Sequence, residues 1–336
     1  EIKKQYKPIF SKNPEKYFAT KVLKEEGFQR FNCKKCKKYF WSVKKSDHCG
    51  EPSCTGEKLS FIGKKRSDDS YIEIWKKFST MFKKLGYTPI NRYPVVSRWN
   101  PTMEYTNASI AAFQPYVISG EVEPPANPLV IPQVCLRFGD TDNVGITMSH
   151  LNAFVMIGQH MFVKPSEWNQ DKVFRDMLKW NFEGMNLKKE EVIFHEDAWA
   201  GGGNLGPCME MFVSGVEVWN QVYMMYEQTL DGIKELDIKV LDMGMGLERN
   251  AWFLSGKETI YDATFPETLE KVKNKIEFKV DKALLKKYAP YASMLNADEV
   301  EDMDKVWKQV AKNVGVKDVK DQILPLAALY SVVEHS

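Results

Sequence analysis

The clearest hydrophobic pattern in the chain lies between residues 70 and 86. Ser70 and Glu73 have the spacing of a capping box, which marks the start of a helix, and Gly86 suits its end. Between them, apolar side chains recur three and four residues apart, so they share one face and predict packing against a core. These side chains are Tyr71, Ile74, Trp75, Phe78, Met81, Phe82 and Leu85. A second amphipathic helix is predicted over residues 171–182.

The apolar pattern also predicts an antiparallel hairpin, with strands over residues 129–139 and 150–157. In the first strand, apolar side chains alternate with Cys135 and Arg137, so Arg137 is expected to point away from the apolar face. Those apolar side chains are Val134, Leu136 and Phe138. Arg137 and Phe154 on neighbouring strands suit a nucleotide, because a guanidinium grips phosphate and an aromatic ring stacks on a base. Taken alone, Phe154 also fits an ordinary core position.

Residues 238–252 predict a strand that leads into a helix. A β-branched run forms the strand, and two closely spaced glycines, Gly244 and Gly246, break it before helix-favouring residues. Such a junction directs the N–H groups at the helix start towards a ligand. Asp242 leads the turn and Arg249 lies one to two helical turns beyond it, so the pair suits an ammonium group at one end and a phosphate at the other. An ordinary strand–helix corner with a surface arginine fits these residues equally well.

Two further features indicate a pocket for a small molecule. Three consecutive glycines at residues 201–203 stand beside Trp199, which predicts backbone close to a ligand with the indole as one wall. No Gly-Lys-Ser/Thr follows them, so this is not a Walker sequence. Asn220 interrupts an apolar strand predicted over residues 218–226, and a buried amide needs partners that a bound substrate can supply.

Four of the six cysteines crowd into one short segment near the N-terminus. Cys33 and Cys36 form one close pair and Cys49 and Cys54 a second, and this spacing matches a four-thiolate zinc site. His48 is an alternative ligand in place of one thiolate. A structural role is expected, because four ligands leave no open position. Disulfides fit the same spacing, although nothing in the sequence indicates an oxidising compartment.

The overall charge does not decide between nucleic-acid binding and its absence. The chain carries 47 Lys and Arg against 45 Asp and Glu, a formal net charge of +2. Lysines and aromatic residues around the cysteine pairs suit either an RNA-facing surface or the solvated side of a small zinc knuckle. No apolar run reaches membrane-spanning length and the N-terminus has no signal-peptide pattern, so we expect a cytoplasmic protein with no membrane partner.

Several of these stretches together resemble the class II aminoacyl-tRNA synthetases. Residues 242–249, Asp-Met-Gly-Met-Gly-Leu-Glu-Arg, resemble motif 3 of that class, and residues 136–138 and 142–145 with His150 resemble motif 2. Within the class, the similarity is to the alanyl-tRNA synthetases, in their archaeal form. The segments that carry it are the cysteine segment, residues 120–128, Gln159-His160, Trp199 with the glycines, residues 206–210 and Trp219-Asn220.

The resemblance implies an α+β fold, an antiparallel sheet flanked by helices, in three regions. These are an N-terminal segment with a four-cysteine zinc site (1–66), a class II aminoacylation catalytic domain (67–257) and the start of a helical tRNA-recognition region (258–336). It implies ATP-dependent activation of L-alanine to alanyl-adenylate, with Mg²⁺, and transfer of alanine to the 3′ end of tRNA(Ala). Members of the family are much longer, and residues 324–336 stop within a helical pattern. We therefore expect a catalytic fragment without an editing domain, with any oligomer formed through regions outside this chain.

Carried over position by position, the resemblance assigns roles to individual residues. Arg137 would hold the α-phosphate of ATP and Arg249 the γ-phosphate, while Asp242 would take the α-ammonium of alanine; these three are the predicted catalytic residues. The other predicted ATP contacts are Phe154, stacked on adenine, with His150, Ile110 and Gly246. The other predicted alanine contacts are Trp199, Asn220 and Gly244, and Glu210 is a candidate Mg²⁺ ligand.

Two positions depart from the pattern of bacterial members. Ser149 stands where they typically have an Arg before the motif 2 histidine, and Ile110 stands where they have a Met in the adenine pocket. Two alternative functions fit the sequence. One is a class II adenylate-forming paralogue for another small amino acid. The other is a non-catalytic zinc-ribbon module that binds RNA with a steep salt dependence but shows no ATP-dependent exchange.

Overall fold

The computed structural model describes residues 2–297 and 300–336, and a single large β-sheet lies at its centre. The strands are β1 (Gln29–Asn32), β2 (Tyr39–Ser42), β3 (Thr88–Pro89), β4 (Leu129–Leu136), β5 (Ala153–Val163), β6 (Val192–Gly201), β7 (Asn204–Val213), β8 (Val216–Thr229) and β9 (Gly232–Gly246). In the described residues they lie in the order β1-β2-β6-β7-β8-β9-β5-β4-β3. Neighbouring strands are antiparallel except β3 and β4, which are parallel.

Helices flank this sheet. They are α1 (Ile2–Lys12), α2 (Pro14–Tyr17), α3 (Thr20–Glu25), α4 (Pro52–Thr55), α5 (Tyr71–Lys84), α6 (Gln170–Lys179), α7 (Leu247–Ser255), α8 (Ile260–Thr264), α9 (Pro266–Lys275), α10 (Lys282–Ala292), α11 (Met303–Val314) and α12 (Val319–His335). The main hydrophobic core lies between helices and sheet, with Phe78, Trp219 and Trp252 among its fully buried members. The predicted α+β fold with a flanked antiparallel sheet is therefore confirmed.

Helix α5 follows its prediction closely. The Ser70 hydroxyl accepts the Glu73 N–H and the Glu73 carboxylate accepts the Ser70 N–H, so the capping box is formed. The middle of the predicted apolar face is buried at Ile74, Phe78 and Phe82. The second predicted helix is α6, which continues into one wider turn at Trp180–Gly184.

The predicted strand break at Gly244 is wrong. Strand β9 continues through both glycines to Gly246, and α7 begins at the next residue. Gly244 pairs with Gly158 of β5 on one side and Asn220 of β8 on the other. Because both neighbouring strands satisfy its backbone, the local preference of glycine for turns is overridden. Asp242 accordingly lies within the strand, and only the predicted helix after it is confirmed.

The β4–β5 hairpin forms, but its predicted apolar face is wrong. Strand β4 ends at Leu136, and Arg137 precedes a short turn over Phe138–Asn143. Cys135 is fully buried, whereas Phe138 is 59% exposed, so the assumed alternation does not extend past the end of the strand. His150 precedes β5, which begins at Ala153 and extends to Val163.

The glycine-rich segment is a hairpin rather than a loop. Strands β6 and β7 pair antiparallel, with Gly201 opposite Asn204. Gly202 and Gly203 form the turn with φ angles of 57° and 82°, where residues with a Cβ are strained. Gly201 remains in the strand, so two of the three consecutive glycines are required by the turn.

The N-terminal segment is joined to the sheet. Strand β2 pairs with β6 through Phe40 and Trp41, which extends the sheet by the β1–β2 hairpin. Helix α1 also packs on β6. Among the described residues, none of the helices combines the length and apolar character required to span a membrane.

Candidate active site

A cleft of about 540 Å³ opens on the sheet near the start of α7. Every residue predicted to contact ATP or alanine lines this cleft, as does the candidate Mg²⁺ ligand: Ile110, Arg137, His150, Phe154, Trp199, Glu210, Asn220, Asp242, Gly244, Gly246 and Arg249. Arg137 directly follows β4, whereas Asp242 in β9 and Arg249 in α7 come much later in the chain and close to each other. The fold brings them into one concave site, although the role of each residue stays a prediction.

Arg137 is positioned at the rim of the cleft by the end of β4. Its guanidinium lies 5.1 Å from the centroid of the Phe154 ring on β5, a cation–π distance. Its Nε donates to the Asn107 carbonyl at 2.9 Å. In the part of the chain that the structure describes, Arg137 makes no ion pair with a carboxylate. The remaining N–H groups are thus available to an anion.

Arg249 lies in the first turn of α7, on the same side of the cleft as His150. Its Nη1 donates to the Glu217 backbone carbonyl at 3.2 Å and to the Glu217 carboxylate at 3.3 Å. Burial, followed by the positive charges of Arg249 and Arg137, lowers the pKa of His150 to about 3. His150 is therefore a neutral imidazole at neutral pH, and the positive charge of this end comes from the two guanidinium groups.

Asp242 and Asn220 form the opposite end of the cleft on neighbouring strands. Asp242 is 5% exposed, and its Oδ1 lies 3.0 Å from Nδ1 of His160. Asn220 Oδ1 is buried and has no hydrogen-bond partner in the described residues. A buried carbonyl oxygen without a partner beside a carboxylate provides acceptors for a ligand that carries N–H groups.

Trp199 forms one wall, and one glycine leaves room for its indole while a second lets the strand opposite approach its neighbour. A Cβ on Gly201 would come within 2.6 Å of the indole, so only glycine leaves room for the ring. Gly206, directly opposite Trp199, approaches β8 so closely that a Cβ would lie 1.8 Å from the Tyr223 carbonyl oxygen. The sequence pattern indicated a close backbone approach, but not its partner strand.

A group of acidic residues lies along the cleft next to this pocket. Burial, with the negative charges of Asp197 and Glu217, raises the pKa of Glu210 to about 8. The charges of Lys38 and Lys3, from the N-terminal segment, act in the opposite direction. Carboxylate oxygens are the donors that Mg²⁺ prefers, and Glu210 and Glu217 both line the cleft.

Several residues that line the cleft are not among the predicted ones. Glu248 of α7 is buried, accepts the Val155 N–H with both carboxylate oxygens, and has a pKa raised to about 7 by burial. Lys3 reaches the cleft from α1, and Gln114 from a loop. Motif 3 already contained Glu248, whereas no local signal marks Lys3 or Gln114, whose positions depend on long-range packing.

The four N-terminal cysteines converge on one point. Their Sγ atoms all lie within 4.8 Å of one another, and those of Cys36 and Cys49 are 3.8 Å apart. Sulfur atoms around a tetrahedral zinc ion with bonds of about 2.3 Å are about 3.8 Å apart, so the donor set fits zinc. His48 is exposed and stands outside this group. His195 of β6 lies behind it instead, with Nε2 2.7 Å from the Cys49 carbonyl oxygen.

Comparison with known proteins gives concordant results. The profile of the class II (A) tRNA synthetases matches residues 73–330. An alanine–tRNA ligase of Methanocella arvoryzae is 44% identical over all of this chain and 39% of its own length. Enzymes of the same name from Nitrosopumilus maritimus and Cenarchaeum symbiosum are 38% and 37% identical, over 99% and 97% of this chain and 38% and 37% of their own lengths.

The chain therefore spans about two fifths of the length of these relatives. The profile, in contrast, matches well over half of the chain and includes both predicted motifs and the cleft between them. The antiparallel sheet and its flanking helices agree with that match. This chain belongs to the class II tRNA synthetase family.

Proposed function

We propose that this protein activates L-alanine with ATP and transfers the alanyl group to the 3′ end of tRNA(Ala). The observation that carries the proposal is the convergence of two guanidinium groups and one carboxylate on a single cleft. The relatives named alanine–tRNA ligase support alanine as the amino acid. The chain spans 39% of the first of them. The described residues bear on the activation step, and the transfer to tRNA is proposed from the relatives.

The end of the cleft with Arg137 and Arg249 suits a nucleoside triphosphate. Two guanidinium groups offer planar donors to phosphate oxygens, and Phe154 offers a ring face to a base. We assign the α-phosphate to Arg137 and the γ-phosphate to Arg249. His150, neutral because its pKa is about 3, adds hydrogen-bonding capacity without charge.

The end with Asp242 suits the ammonium group of a small amino acid. The Asp242 carboxylate supplies the negative charge, and Asn220 Oδ1 supplies a neutral acceptor. Trp199 limits the size of the side chain that fits beside them. Alanine meets these requirements, whereas valine would have to displace the indole, which packs against Gly201.

The proposed reaction needs no nucleophile from the protein. An oxygen of the alanine carboxylate attacks the α-phosphorus, the bond to the β-phosphate oxygen breaks, and pyrophosphate leaves. The terminal ribose hydroxyl of tRNA then attacks the carbonyl carbon of the adenylate and releases AMP. Both reactants of the first step are anions, so alignment and fixed positive charge from Arg137 and Arg249 supply the acceleration.

Two metals belong to the proposal. Glu210, with Glu217 beside it, would hold Mg²⁺, which neutralises charge on the phosphates when bound. Cys33, Cys36, Cys49 and Cys54 would hold a structural zinc ion that fixes the N-terminal segment. We retain the division into regions 1–66, 67–257 and 258–336 as part of this proposal. The cytoplasm, where ATP and tRNA are present, is the proposed location.

The test of the activation step is ATP–pyrophosphate exchange with each of the twenty amino acids. Wild type is expected to exchange with alanine far faster than with valine, while Asp242→Asn and Arg137→Ala lose exchange. Arg175→Ala, which removes an exposed arginine paired with Glu25, is the matched control and should keep the activity.

The two alternative functions give different results in this assay, and aminoacylation of a tRNA transcript separates a third, an activating paralogue that does not load tRNA. Exchange with another small amino acid in place of alanine would indicate the adenylate-forming paralogue. Binding of tRNA with no exchange for any amino acid would indicate the RNA-binding module. A paralogue that activates alanine without loading tRNA would show exchange but fail to aminoacylate a tRNA(Ala) transcript.

A further inference from the structure

A histidine, His160, lies directly behind the proposed ammonium site. Neither motif 2 nor motif 3 nor the proposed reaction assigns it a role. His160 of β5 is the antiparallel partner of Asp242 on β9, so both side chains project from the same face of the sheet. Its Nδ1 lies 3.0 Å from Asp242 Oδ1, and the imidazole is completely buried. The ring does not line the cleft, whereas Asp242 does.

The imidazole is held in this position from several sides. The Phe113 ring packs edge-on against it with 5.1 Å between centroids, and Phe162 lies on another side at 6.4 Å. A Cβ on Gly158 would lie 2.3 Å from Nε2 of His160 and 2.6 Å from Oγ of Ser109. Gly158 therefore provides the space that the ring occupies, and a ring so enclosed has little freedom to rotate.

The surroundings also favour one tautomer. Neither ring nitrogen nor the Ser109 hydroxyl makes a full hydrogen bond in the described residues, but Nδ1 lies 3.0 Å from a carboxylate oxygen. A proton on Nδ1 is directed at that carboxylate, while a proton on Nε2 would be buried without an acceptor. The Nδ1–H form is thus the one that the site stabilises.

The two carboxylate oxygens of Asp242 therefore have different surroundings. Oδ1 is buried and faces His160, at ion-pair distance but without the alignment of a full hydrogen bond. Oδ2 is not buried in this way, and within residues 2–297 and 300–336 it has no hydrogen-bond donor. It is the oxygen available to a ligand in the cleft.

We propose that His160 is the positioning residue for the ammonium-binding carboxylate: its Nδ1–H fixes one oxygen of Asp242 so that the other faces the amino acid. This proposal rests on the proposed function, because it assumes that Asp242 binds an amine. His160 itself does not touch the substrate. Its loss should therefore weaken binding of the amino acid and leave binding of ATP unchanged.

The experiment compares three substitutions in ATP–pyrophosphate exchange. In His160→Asn the amide nitrogen takes the place of Nδ1, in His160→Gln it takes the place of Nε2, and His160→Phe keeps a ring without a donor. The KM for alanine should rise roughly 10-fold in the Gln and Phe variants, the lower end of what the loss of a polar contact to a charged group costs. The Asn variant should stay within about threefold of wild type, and the KM for ATP should be constant throughout.

Three results would overturn the proposal. They are equal alanine KM values in the Asn and Gln variants, a parallel rise of the ATP KM, or no change in the Phe variant. Thermal unfolding identifies a variant that does not fold. If His160→Phe is unstable, the comparison of the alanine KM between His160→Asn and His160→Gln still tests the proposal. Failure of the proposed function is distinct, since wild type itself would then show no exchange with alanine.

Discussion

Buried charges are treated in opposite ways at the N-terminal edge of the sheet and in the cleft. On β6, three consecutive residues, His195, Glu196 and Asp197, are all at least 97% buried. Each has a partner from the N-terminal segment. In the cleft, Asp242 and the Oδ1 atom of Asn220 are also buried, yet Oδ1 of each has no hydrogen-bond partner among the described residues.

The two carboxylates of this β6 group have their partners within the protein. Glu196 accepts two hydrogen bonds from Arg30, at 2.7 and 2.6 Å, and a third from the Trp41 indole at 2.8 Å. Asp197 pairs with Lys7 at 3.0 Å. A buried carboxylate satisfied in this way has no capacity left for a ligand.

The difference distinguishes a structural charge from a functional one. A buried charge whose partners all lie within the protein holds elements together, and here it fixes the N-terminal segment to the sheet. A buried polar group without a full set of partners is costly to the fold and is expected where a ligand supplies the missing partner. Four changes to the protein test this distinction, and those expected to affect stability most come first.

Loss of the zinc site should have the largest effect on stability. Apparent zinc-binding energies of about 10–16 kcal/mol in small zinc domains mean that Cys33→Ser should loosen the whole N-terminal segment. Thermal unfolding with and without a chelator measures this: wild type should be destabilised by the chelator and Cys33→Ser should not respond. Cys135→Ser removes a buried cysteine outside the cluster and should keep the chelator response. A wild type indifferent to chelator would contradict the zinc assignment.

Removal of Arg30 tests the structural charge directly. Arg30→Ala leaves Glu196 buried without its cation, and the free energy of unfolding should fall by about 3–5 kcal/mol. Urea unfolding provides the measurement. The exposed Lys24–Glu15 pair is the control, since Lys24→Ala should cost under about 1 kcal/mol. Equal losses of unfolding free energy in Arg30→Ala and Lys24→Ala would show that the buried pair is no more structural than the exposed one.

Arg137 should behave in the opposite way. Its one side-chain hydrogen bond to the described protein is to the Asn107 carbonyl, so Arg137→Ala should leave the melting temperature almost unchanged. Exchange activity should nevertheless fall by about 10²–10³-fold, because a donor to developing charge is lost. The test is to measure the melting temperature and the alanine-dependent exchange rate of Arg137→Ala and of wild type. A large loss of stability with little loss of exchange would make Arg137 a structural residue.

Glu248 gives a smaller, pH-dependent effect. Burial raises its pKa from 4.5 to about 7, so its stabilising contribution is complete below pH 4.5 and is lost as pH rises through 7. The loss is on the order of 3 kcal/mol. Glu248→Gln can still accept the Val155 N–H and should not titrate, so the two stabilities should diverge between pH 4.5 and 7. A constant difference across that range would show that Glu248 is ionised throughout.

Local signals predicted local structure well. The capping box of Ser70 and Glu73 and the start of α7 need only neighbouring residues, and both are formed as expected. The cysteine spacing likewise anticipated the cluster. The break expected at Gly244 failed, because pairing with two neighbouring strands outweighed the preference of glycine for turns.

Residues whose importance comes from distant partners were harder to identify. Arg137, Asp242 and Arg249 were predicted together because their motifs were recognisable. Lys3 was not, because its position next to the cleft depends on how α1 packs against β6. His160 drew attention only as part of a resemblance, since its contact with Asp242 depends on the register between β5 and β9.

The indole wall beside Gly201 sets a limit on fidelity. A rigid barrier rejects molecules by volume, so it acts against larger amino acids and has no means of rejecting smaller ones. Glycine lacks one methyl group, worth roughly 1–3 kcal/mol, and serine adds only a hydroxyl. Both should enter the pocket and be activated at measurable rates. Under the proposed function, accurate translation with such a pocket would require a separate hydrolytic step that removes the mischarged products.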